Sequence, residues 1–282
     1  MSFDHLKEWI GRTQTESDVA TEAPLIRLAA TLDHTDPPWP TGQVPPLGHW
    51  LYFLPRAPES EIGPDGHAKR GGFLPPVNLP RRMWAGGQFE FLAPIPIGAV
   101  MTKRSTVANV EHKIGRSGAI IFVKVTHEIS IDGSAAIREV HDIVYRELPS
   151  TAVRGDSDRH ADPSSLVPEF RREIVPDPVL LFRYSALTFN GHRIHYDRSY
   201  CEKVEGYPGL VVHGPLTATL LVDLYLRQRR AAAVHSFRFR AKKPLFDTHA
   251  FTVCGAHSPG GAVLCALDDK GSLAMTAELE AL

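Results

Sequence analysis

Alternating and β-branched runs of hydrophobic residues mark two strand-rich parts of the chain. Between residues 87 and 147 these runs are long and end at turn residues, which predicts a series of antiparallel strands. Asp132-Gly133 separates two of the runs and is the sequence of a tight hairpin turn. Shorter runs of the same kind fill residues 235–279, with a turn predicted at 268–271. Both parts are therefore predicted to form antiparallel sheets.

Helical spacing of apolar residues appears ahead of each strand-rich part. Residues 1–35 are predicted to be helical, with a second helix within them at 24–32. Ahead of the second sheet, a short helix is predicted at 180–187 and a longer apolar helix at 216–226. Pro215 fits the first turn of the longer helix, because an N–H there would have no helical partner.

Two segments rich in proline and glycine interrupt these elements. Residues 36–80 also carry several aromatic side chains, which favours an ordered and functional loop over a disordered one. Residues 148–178 are predicted to be a linker between domains. The pattern is that of an α+β protein with one unit at 1–147 and another at 179–282, each a sheet able to wrap a helix.

A weak internal sequence repeat supports a duplicated architecture. Phe89-Glu-Phe91 resembles Phe237-Arg-Phe239, and each lies in the first predicted strand after a predicted helix. The helix at 24–32 is then the candidate central helix of the first unit, and the helix at 216–226 is that of the second.

Composition narrows the classes of function. The chain has 282 residues, 43% of them hydrophobic, and a formal net charge of −1, which argues against nucleic acid as its main partner. Its three cysteines have no metal-binding spacing and favour a reducing, cytoplasmic compartment. No secretory signal and no run long enough to span a bilayer is visible, so no membrane partner is expected.

Residues 183–215 carry the densest group of chemically useful side chains. An amide, three histidines and an acid occur within this stretch, as Asn190, His192, His195, Asp197 and His213. An imidazole titrates near neutral pH and can move a proton, whereas an amide can only orient a water molecule or a substrate oxygen. The amides at the start of the following helix form a positive-potential site suited to an oxyanion.

This stretch resembles the signature of the MaoC-like hydratases and dehydratases, which have the hotdog fold and act on acyl-CoA thioesters. His195 matches the family histidine and His213-Gly214 matches the family His-Gly step. Asn190 stands where the family usually has an aspartate. The sequence of residues 187–197 more closely resembles that of a subgroup with two fused hotdog units. This subgroup includes 3-hydroxyacyl-thioester dehydratases and mesaconyl- and itaconyl-CoA hydratases.

The resemblance implies an α+β double hotdog, with a degenerate first unit and a catalytic second unit. It implies reversible hydration of a 2-enoyl-CoA, with a short branched or dicarboxylic acyl group. His195 is expected to move the proton, Asn190 to orient, and the Gly214 amide to bind the enolate-like oxygen. His192 and His213 are expected to line the substrate pocket. No cofactor is expected, since coenzyme A is part of the substrate, and a homodimer is compatible with the sequence.

A second candidate site lies at residues 79–87. Arg81 and Arg82 precede Trp84 in a predicted loop, and arginine binds carboxylates and phosphates with two parallel hydrogen bonds. A dicarboxylic substrate would require a cation of this kind near the pocket. The single pocket of the chain is predicted between the two units, with this loop contributing from the first unit.

Within the same family, a 3-hydroxyacyl-thioester dehydratase of fatty-acid metabolism is an alternative, and four further alternatives remain open from the sequence. A metal hydrolase could use His192, His195, Asp197 and His213, although the Asn190-Gly191 step favours a loop over a ligand-bearing helix. A serine hydrolase at residues 115–118 lacks the usual glycine spacing. A thioesterase is a stronger rival, because one fold hosts several chemistries. A non-catalytic acyl-CoA-binding protein would follow if Asn190 marks lost activity.

Overall fold

In the part of the chain that the structure describes, ten strands form one continuous antiparallel sheet, in the order β1-β3-β4-β5-β2-β7-β10-β9-β8-β6. The computed structural model describes residues 3–115, 118–146 and 167–281. The strands of the first unit are β1 Thr13–Val19, β2 Arg81–Phe91, β3 Val100–Gly115, β4 Gly118–Ile131 and β5 Ser134–Arg146. Those of the second are β6 Phe170–Ile174, β7 Val234–Ala241, β8 Phe251–Ser258, β9 Gly261–Leu267 and β10 Leu273–Ala281.

The long strands lie where the hydrophobic runs predicted them. Asp132 and Gly133 join β4 to β5 with φ angles of 49° and 80°, the left-handed values that a tight hairpin turn requires. The strand β1 was not predicted, since residues 1–35 were expected to be helical. Its seven residues alternate between exposed and half-buried and pair with β3, so cross-strand pairing determines this strand although its apolar pattern is weak.

The second unit begins earlier in the chain than the sequence suggested. The strand β6 lies inside the segment 148–178 that was predicted to be a linker, and it pairs with β8 at the edge of the sheet. The unit therefore starts by Phe170. The part of that predicted linker before residue 167 lies outside the described residues.

In the described ranges, four α-helices accompany the sheet: α1 Glu22–Thr31, α2 Pro178–Leu187, α3 Arg198–Lys203 and α4 Gly214–Gln228. The helix α4 is the central helix of the second unit, as predicted, and every residue from Leu216 to Leu226 is buried. Such all-round burial requires the sheet to wrap the helix. None of the helices within the described residues is long and apolar enough to cross a bilayer.

The described part of the first unit contains no long central helix, which corrects the assignment of residues 24–32. The helix α1 follows β1 as α2 follows β6, and α1 and α2 pack together. The position of α4 is taken by a single 3₁₀ turn, Gly48–Leu51. Backbone bonding supports this match, because Val44 donates to the Ile95 carbonyl as Val212 donates to the Leu245 carbonyl, both at 2.9 Å.

The two units join along β2 and β7. Gln88 pairs with Arg238 at the centre of this seam, and Phe89 pairs with Phe237 beside it. The two copies of the internal sequence repeat therefore lie on equivalent strands, β2 and β7. One hydrophobic core continues across the seam and includes Phe89, Phe237 and the residues of α4. This continuity places the start of α4 against the first unit.

Candidate active site

A cavity of about 370 Å³ lies between the two units, and both supply its walls. This volume is in the range of small-molecule sites. The first unit contributes the start of β2 and part of the segment before it, and the second contributes the start of α4 and residues 190–195. Asn190, His195 and Gly214, the three residues expected to act in catalysis, all line this cavity.

His195 is the most deeply buried of these three residues. It ends the 3₁₀ turn Arg193–His195, and 7% of its surface is exposed. Its Nδ1 donates a hydrogen bond to the Val211 carbonyl at 2.7 Å, so Nε2 carries the lone pair. Burial lowers the pKa of His195 to about 4, because an imidazolium there would lose its hydration. At neutral pH His195 is therefore an uncharged proton acceptor.

His213 lies behind His195 rather than on the cavity wall, which corrects its assignment to substrate binding. The two rings stack with centroids 3.7 Å apart, and His213 is 1% exposed. Its Nε2 lies 2.8 Å from the Ser185 hydroxyl oxygen. Burial holds the pKa of His213 well below its ordinary value. His213 thus fixes the plane of the His195 ring.

Asn190 and His192 belong to the loop after α2. The Asn190 Oδ1 accepts a hydrogen bond from the His192 backbone N–H at 3.0 Å, which leaves the Asn190 amide nitrogen to donate. His192 lines the cavity, as expected. Burial, and then the neighbouring imidazoles of His67 and His195, lower the pKa of His192 to about 2. Both side chains are therefore uncharged at neutral pH.

Gly214 is the first residue of α4 and faces open space. A Cβ atom at this position would meet no atom closer than the Trp84 carbonyl oxygen, at 4.0 Å. The amides of the first helical turn have no partner within a helix, and the helix dipole places positive potential there. An oxygen of a bound molecule can therefore approach this end of α4.

The segment with Arg81 and Arg82 is the start of β2, not the loop that was predicted. Both arginines line the cavity. Arg81 lies 3.8 Å from the Glu205 carboxylate and over the Tyr207 ring, so its charge is already paired. The Arg82 guanidinium lies near the Tyr145 hydroxyl, and it forms no ion pair with a described residue.

Trp84 also lines the cavity, and its ring is held from three sides. Its Nε1 donates to the Gly86 carbonyl at 2.7 Å, and its ring lies 4.0 Å from His141 and 5.0 Å from Trp50. It therefore forms a fixed apolar surface for a bound group.

Two cavity residues were missed by the sequence reasoning, Asp65 and His67. The Asp65 carboxylate accepts from the His67 backbone N–H at 3.0 Å, and its other oxygen lies 3.3 Å from His67 Nδ1. The His67 ring packs against His192 with centroids 4.1 Å apart. The one sign in the sequence was Asp-Gly-His within a proline- and glycine-rich segment already expected to be functional.

Arg146 was also missed, because the end of β5 was interpreted only as a strand. It lines the cavity, and its buried Nε has no hydrogen-bond partner. Lys243 lines the same cavity but pairs with Asp268. Within the described residues, Arg82 and Arg146 are thus the cavity cations without an ion pair.

The residues proposed for a metal hydrolase are not brought together as a set. The Asp197 carboxylate accepts from the Tyr200 backbone N–H at 3.0 Å, at the start of α3, and pairs with Arg193 at 2.7 Å. It therefore stabilises a helix end and does not join the histidines. Ser117, the nucleophile of the serine-hydrolase alternative, lies outside the described residues.

Comparisons with known proteins agree on one family. A profile of the family described as hydroxyacyl-thioester dehydratase type 2 matches residues 47–247. The mesaconyl-C(4)-CoA hydratase of Chloroflexus aurantiacus is 44% identical to the chain over 284 aligned positions, which cover 99% of each protein.

Solved structures of low sequence identity share the fold. A MaoC-like dehydratase from Phytophthora capsici has a TM-score of 0.71 at 17% identity, covering 100% of this chain and 99% of that one. A double-hotdog protein of Mycobacterium tuberculosis has a TM-score of 0.58 at 13% identity, covering 100% and 98%. The fold is thus an α+β double hotdog, as predicted. With the family profile and the 44% identical relative, these findings show that the chain belongs to the hydroxyacyl-thioester dehydratase type 2 family.

Proposed function

We propose that the chain hydrates mesaconyl-C4-CoA reversibly, as a hydro-lyase acting on the double bond of a 2-enoyl thioester. The observation that carries the chemistry is that an uncharged imidazole, His195, and the open end of α4 at Gly214 line one cavity. Hydration needs these two elements, a proton acceptor for water and a donor for the thioester oxygen. The name of the Chloroflexus relative supports the choice of substrate.

The chemistry can be assigned to three residues. His195 Nε2 takes a proton from water as the oxygen bonds to the β-carbon. The Gly214 amide donates to the thioester oxygen, where negative charge develops, and loss of such a donor costs roughly 2.7–4 kcal/mol of barrier. The Asn190 amide nitrogen orients the water or the substrate by donating a hydrogen bond, and it takes no proton.

The acyl group proposed here explains the unpaired cations of the cavity. Mesaconate is a methyl-substituted unsaturated dicarboxylate, so its C4 thioester keeps one free carboxylate on the β-carbon. Arg82 and Arg146 line the cavity without an ion pair among the described residues. A guanidinium suits a carboxylate because it offers parallel donors. Arg81 and Trp84 complete this wall, with Arg81 held by Glu205.

No cofactor is proposed, because coenzyme A is already part of the substrate and the chemistry needs only proton transfers. We propose a reducing, cytoplasmic setting, in line with three cysteines that are free and buried. A homodimer stays a prediction.

The test is a panel of CoA esters followed by loss of the absorbance of the conjugated double bond. We expect turnover of mesaconyl-C4-CoA with kcat/KM at least tenfold above that of crotonyl-CoA, and a larger rise in KM for the dicarboxylic ester in Arg82→Ala. A preference for straight-chain enoyl esters would instead indicate a dehydratase of fatty-acid metabolism. Release of free thiol without hydration would indicate a thioesterase, and binding without turnover a non-catalytic protein.

A further inference from the structure

Asp65 and His67 are fixed against residues 190–197, which we call the signature loop. Arg193 donates from its backbone N–H to the Asp65 carbonyl at 2.9 Å, and from its side chain to the Pro64 carbonyl at 3.0 Å. A Cβ atom on Gly66 would lie 1.8 Å from the Gly191 carbonyl oxygen, so the two backbones are in direct contact there. The first unit therefore places a carboxylate and an imidazole beside the site of the second.

Four imidazoles form a row through the site, which we call the histidine row. Ring centroids are 4.1 Å apart between His67 and His192, 5.4 Å between His192 and His195, and 3.7 Å between His195 and His213. Asp65 lies at the His67 end of the row and is hydrogen-bonded to His67. Within the described residues, His67 is the member of the row that has a carboxylate partner. Burial, and then Arg82 and Arg70, lower the pKa of His67 too, but Asp65 partly offsets them, so a proton shared by the row is most stable on His67.

Hydration moves two protons at two different carbons. Water loses a proton as its oxygen bonds to the β-carbon, and the α-carbon gains one. His195 can accept the first, but among the described residues its ring has no carboxylate partner to stabilise the charged form, and Asn190 cannot exchange protons. The second unit also places His192 and Glu205 in the cavity, but burial lowers the pKa of His192 to about 2, and Glu205 pairs with Arg81. His67 of the first unit is therefore the better donor to the α-carbon.

A metal ion is a less suitable use of the same side chains. Ligand atoms of Asp65, His67 and His192 lie within 4.8 Å of one another. Burial is the main cause of the lowered pKa of His67 and His192, and nearby arginines add to it: Arg82 and Arg70 at His67, and Arg82 at His192. The same guanidinium groups would repel a doubly charged metal ion more strongly than the single charge of a protonated His67, and the one carboxylate of Asp65 offsets only one of those charges.

We propose that His67, held by Asp65, is a second acid–base residue of this site and delivers the proton to the α-carbon. The proposal rests on the proposed function. In hydration, the O–H bond of water breaks toward His195 Nε2, the C–O bond forms at the β-carbon, and electrons of the double bond move to the thioester oxygen. The enolate then takes the proton of the His67 imidazolium at its α-carbon. The proton left on His195 returns to His67, so no other reactant is needed.

This division of labour predicts a particular dependence on pH. Both directions of the reaction need one proton in the row, on His67 for hydration and on His195 for dehydration, so kcat/KM falls on both sides of an optimum. The acid limb reflects protonation of His195, and the basic limb reflects loss of the His67 proton. Groups that act on His67 are Asp65, Arg70, Arg82 and His192, and those that act on His195 are His67, His192 and His213.

The experiment measures kcat, KM and the pH profile of the full chain with mesaconyl-C4-CoA in both directions. We expect His67→Gln to lower kcat by at least about 100-fold, with an unchanged melting temperature and no basic limb in the residual activity. Asp65→Asn should move the basic limb to lower pH, because the carboxylate raises the His67 pKa. His112→Gln, an exposed histidine of β3, is the control and should match the wild type.

The outcomes separate this inference from the function on which it rests. If the wild type hydrates the ester and His67→Gln keeps a third or more of its kcat, the second acid–base role is wrong while the function stands. A wild-type kcat/KM that stays level above the acid limb would also overturn the role. Loss of activity on chelation would assign the cluster to a metal instead. Absence of turnover with every ester would remove both the function and the role.

Discussion

At the scale of single residues, the site depends on imidazoles that burial keeps uncharged. His195 and His213 stack at an interplanar angle of 17°, and each has one ring nitrogen fixed by a polar neighbour. Two charged rings at this distance would repel each other with little water to screen them. A proton on His195 is therefore unfavourable in the resting protein, which suits the proposed role of a base that must release its proton again.

Removing the His195 side chain tests its role directly. We expect His195→Ala to lower kcat by about 10²–10⁴-fold, because proton transfer by a positioned imidazole contributes that much. Circular dichroism should show a retained fold, since the turn around residue 195 is also held by backbone bonds from Val211 and Tyr196. Activity within threefold of the wild type would contradict the assignment.

The same buried histidines should weaken the fold in mild acid. The pKa is about 4 for His195 and about 2 for His192 in the folded chain, whereas an unfolded histidine has a pKa near 6.5. Between these values the unfolded chain binds more protons, so stability is full above about pH 6.5 and falls as the pH drops. For His195 the loss ends near pH 4 and amounts to at most about 3 kcal/mol.

Urea unfolding at pH 7.0, 5.5 and 4.5 measures this effect. Carboxylates also contribute to acid sensitivity, so the informative comparison is with His195→Gln, which cannot be protonated at this position. The variant should lose less stability than the wild type between pH 7.0 and 4.5. Equal losses in the two proteins would show that His195 is not held uncharged by the fold.

At the scale of elements, one close backbone contact joins the two units at the site. Gly66 has a φ of +88°, and its Cα lies against the Gly191 carbonyl. Only glycine allows both the left-handed backbone and this approach. The contact fixes the turn carrying Asp65 and His67 at the position where it meets the signature loop.

Gly66→Ala should therefore cost much more than a glycine replacement elsewhere. Gly42 is the matched control, since its φ is +77° and a Cβ there would meet nothing within 4 Å. We expect Gly42→Ala to cost about 1–2 kcal/mol, the strain of a left-handed residue, and Gly66→Ala to cost more than about 3 kcal/mol. Chemical denaturation measures the free energy of unfolding of both variants. Equal losses would mean that the backbone near Gly66 and Gly191 can move apart without strain.

Elements with a strong local pattern were predictable, and those defined by distant partners were not. The long strands and α4 follow from hydrophobic runs and helical spacing. The strand β1 is polar and exists through its pairing with β3. The predicted loop at Arg81 is a strand because β5 supplies its hydrogen bonds. The helix α1 was located correctly, but only its packing against α2 shows that it is not a central helix.

At the scale of the whole molecule, the strands of the sheet are repeated in both units, whereas the residues around Asn190, His195 and Gly214 have no counterpart at the equivalent positions of the first unit that the structure describes. The position equivalent to His213 in the first unit is Pro45, which precedes a single 3₁₀ turn instead of a long helix. Asn190, His195 and Gly214 could be predicted because one continuous segment carries them. Asp65 and Arg146 could not, since they approach that segment only when the two units join along β2 and β7.

A core shared across the seam predicts that the two units unfold together. Phe237 is fully buried, and its ring lies 6.0 Å from Phe89 of the other unit. Phe237→Ala should cost about 3–5 kcal/mol. All four tryptophans lie in the first unit, whereas most helical residues lie in the second. Tryptophan fluorescence and helical circular dichroism therefore report on different units, and we expect both transitions to shift equally in the variant. If the helical circular dichroism transition shifts and the fluorescence transition does not, the first unit folds independently. Formation of the site would then depend on docking of the two folded units.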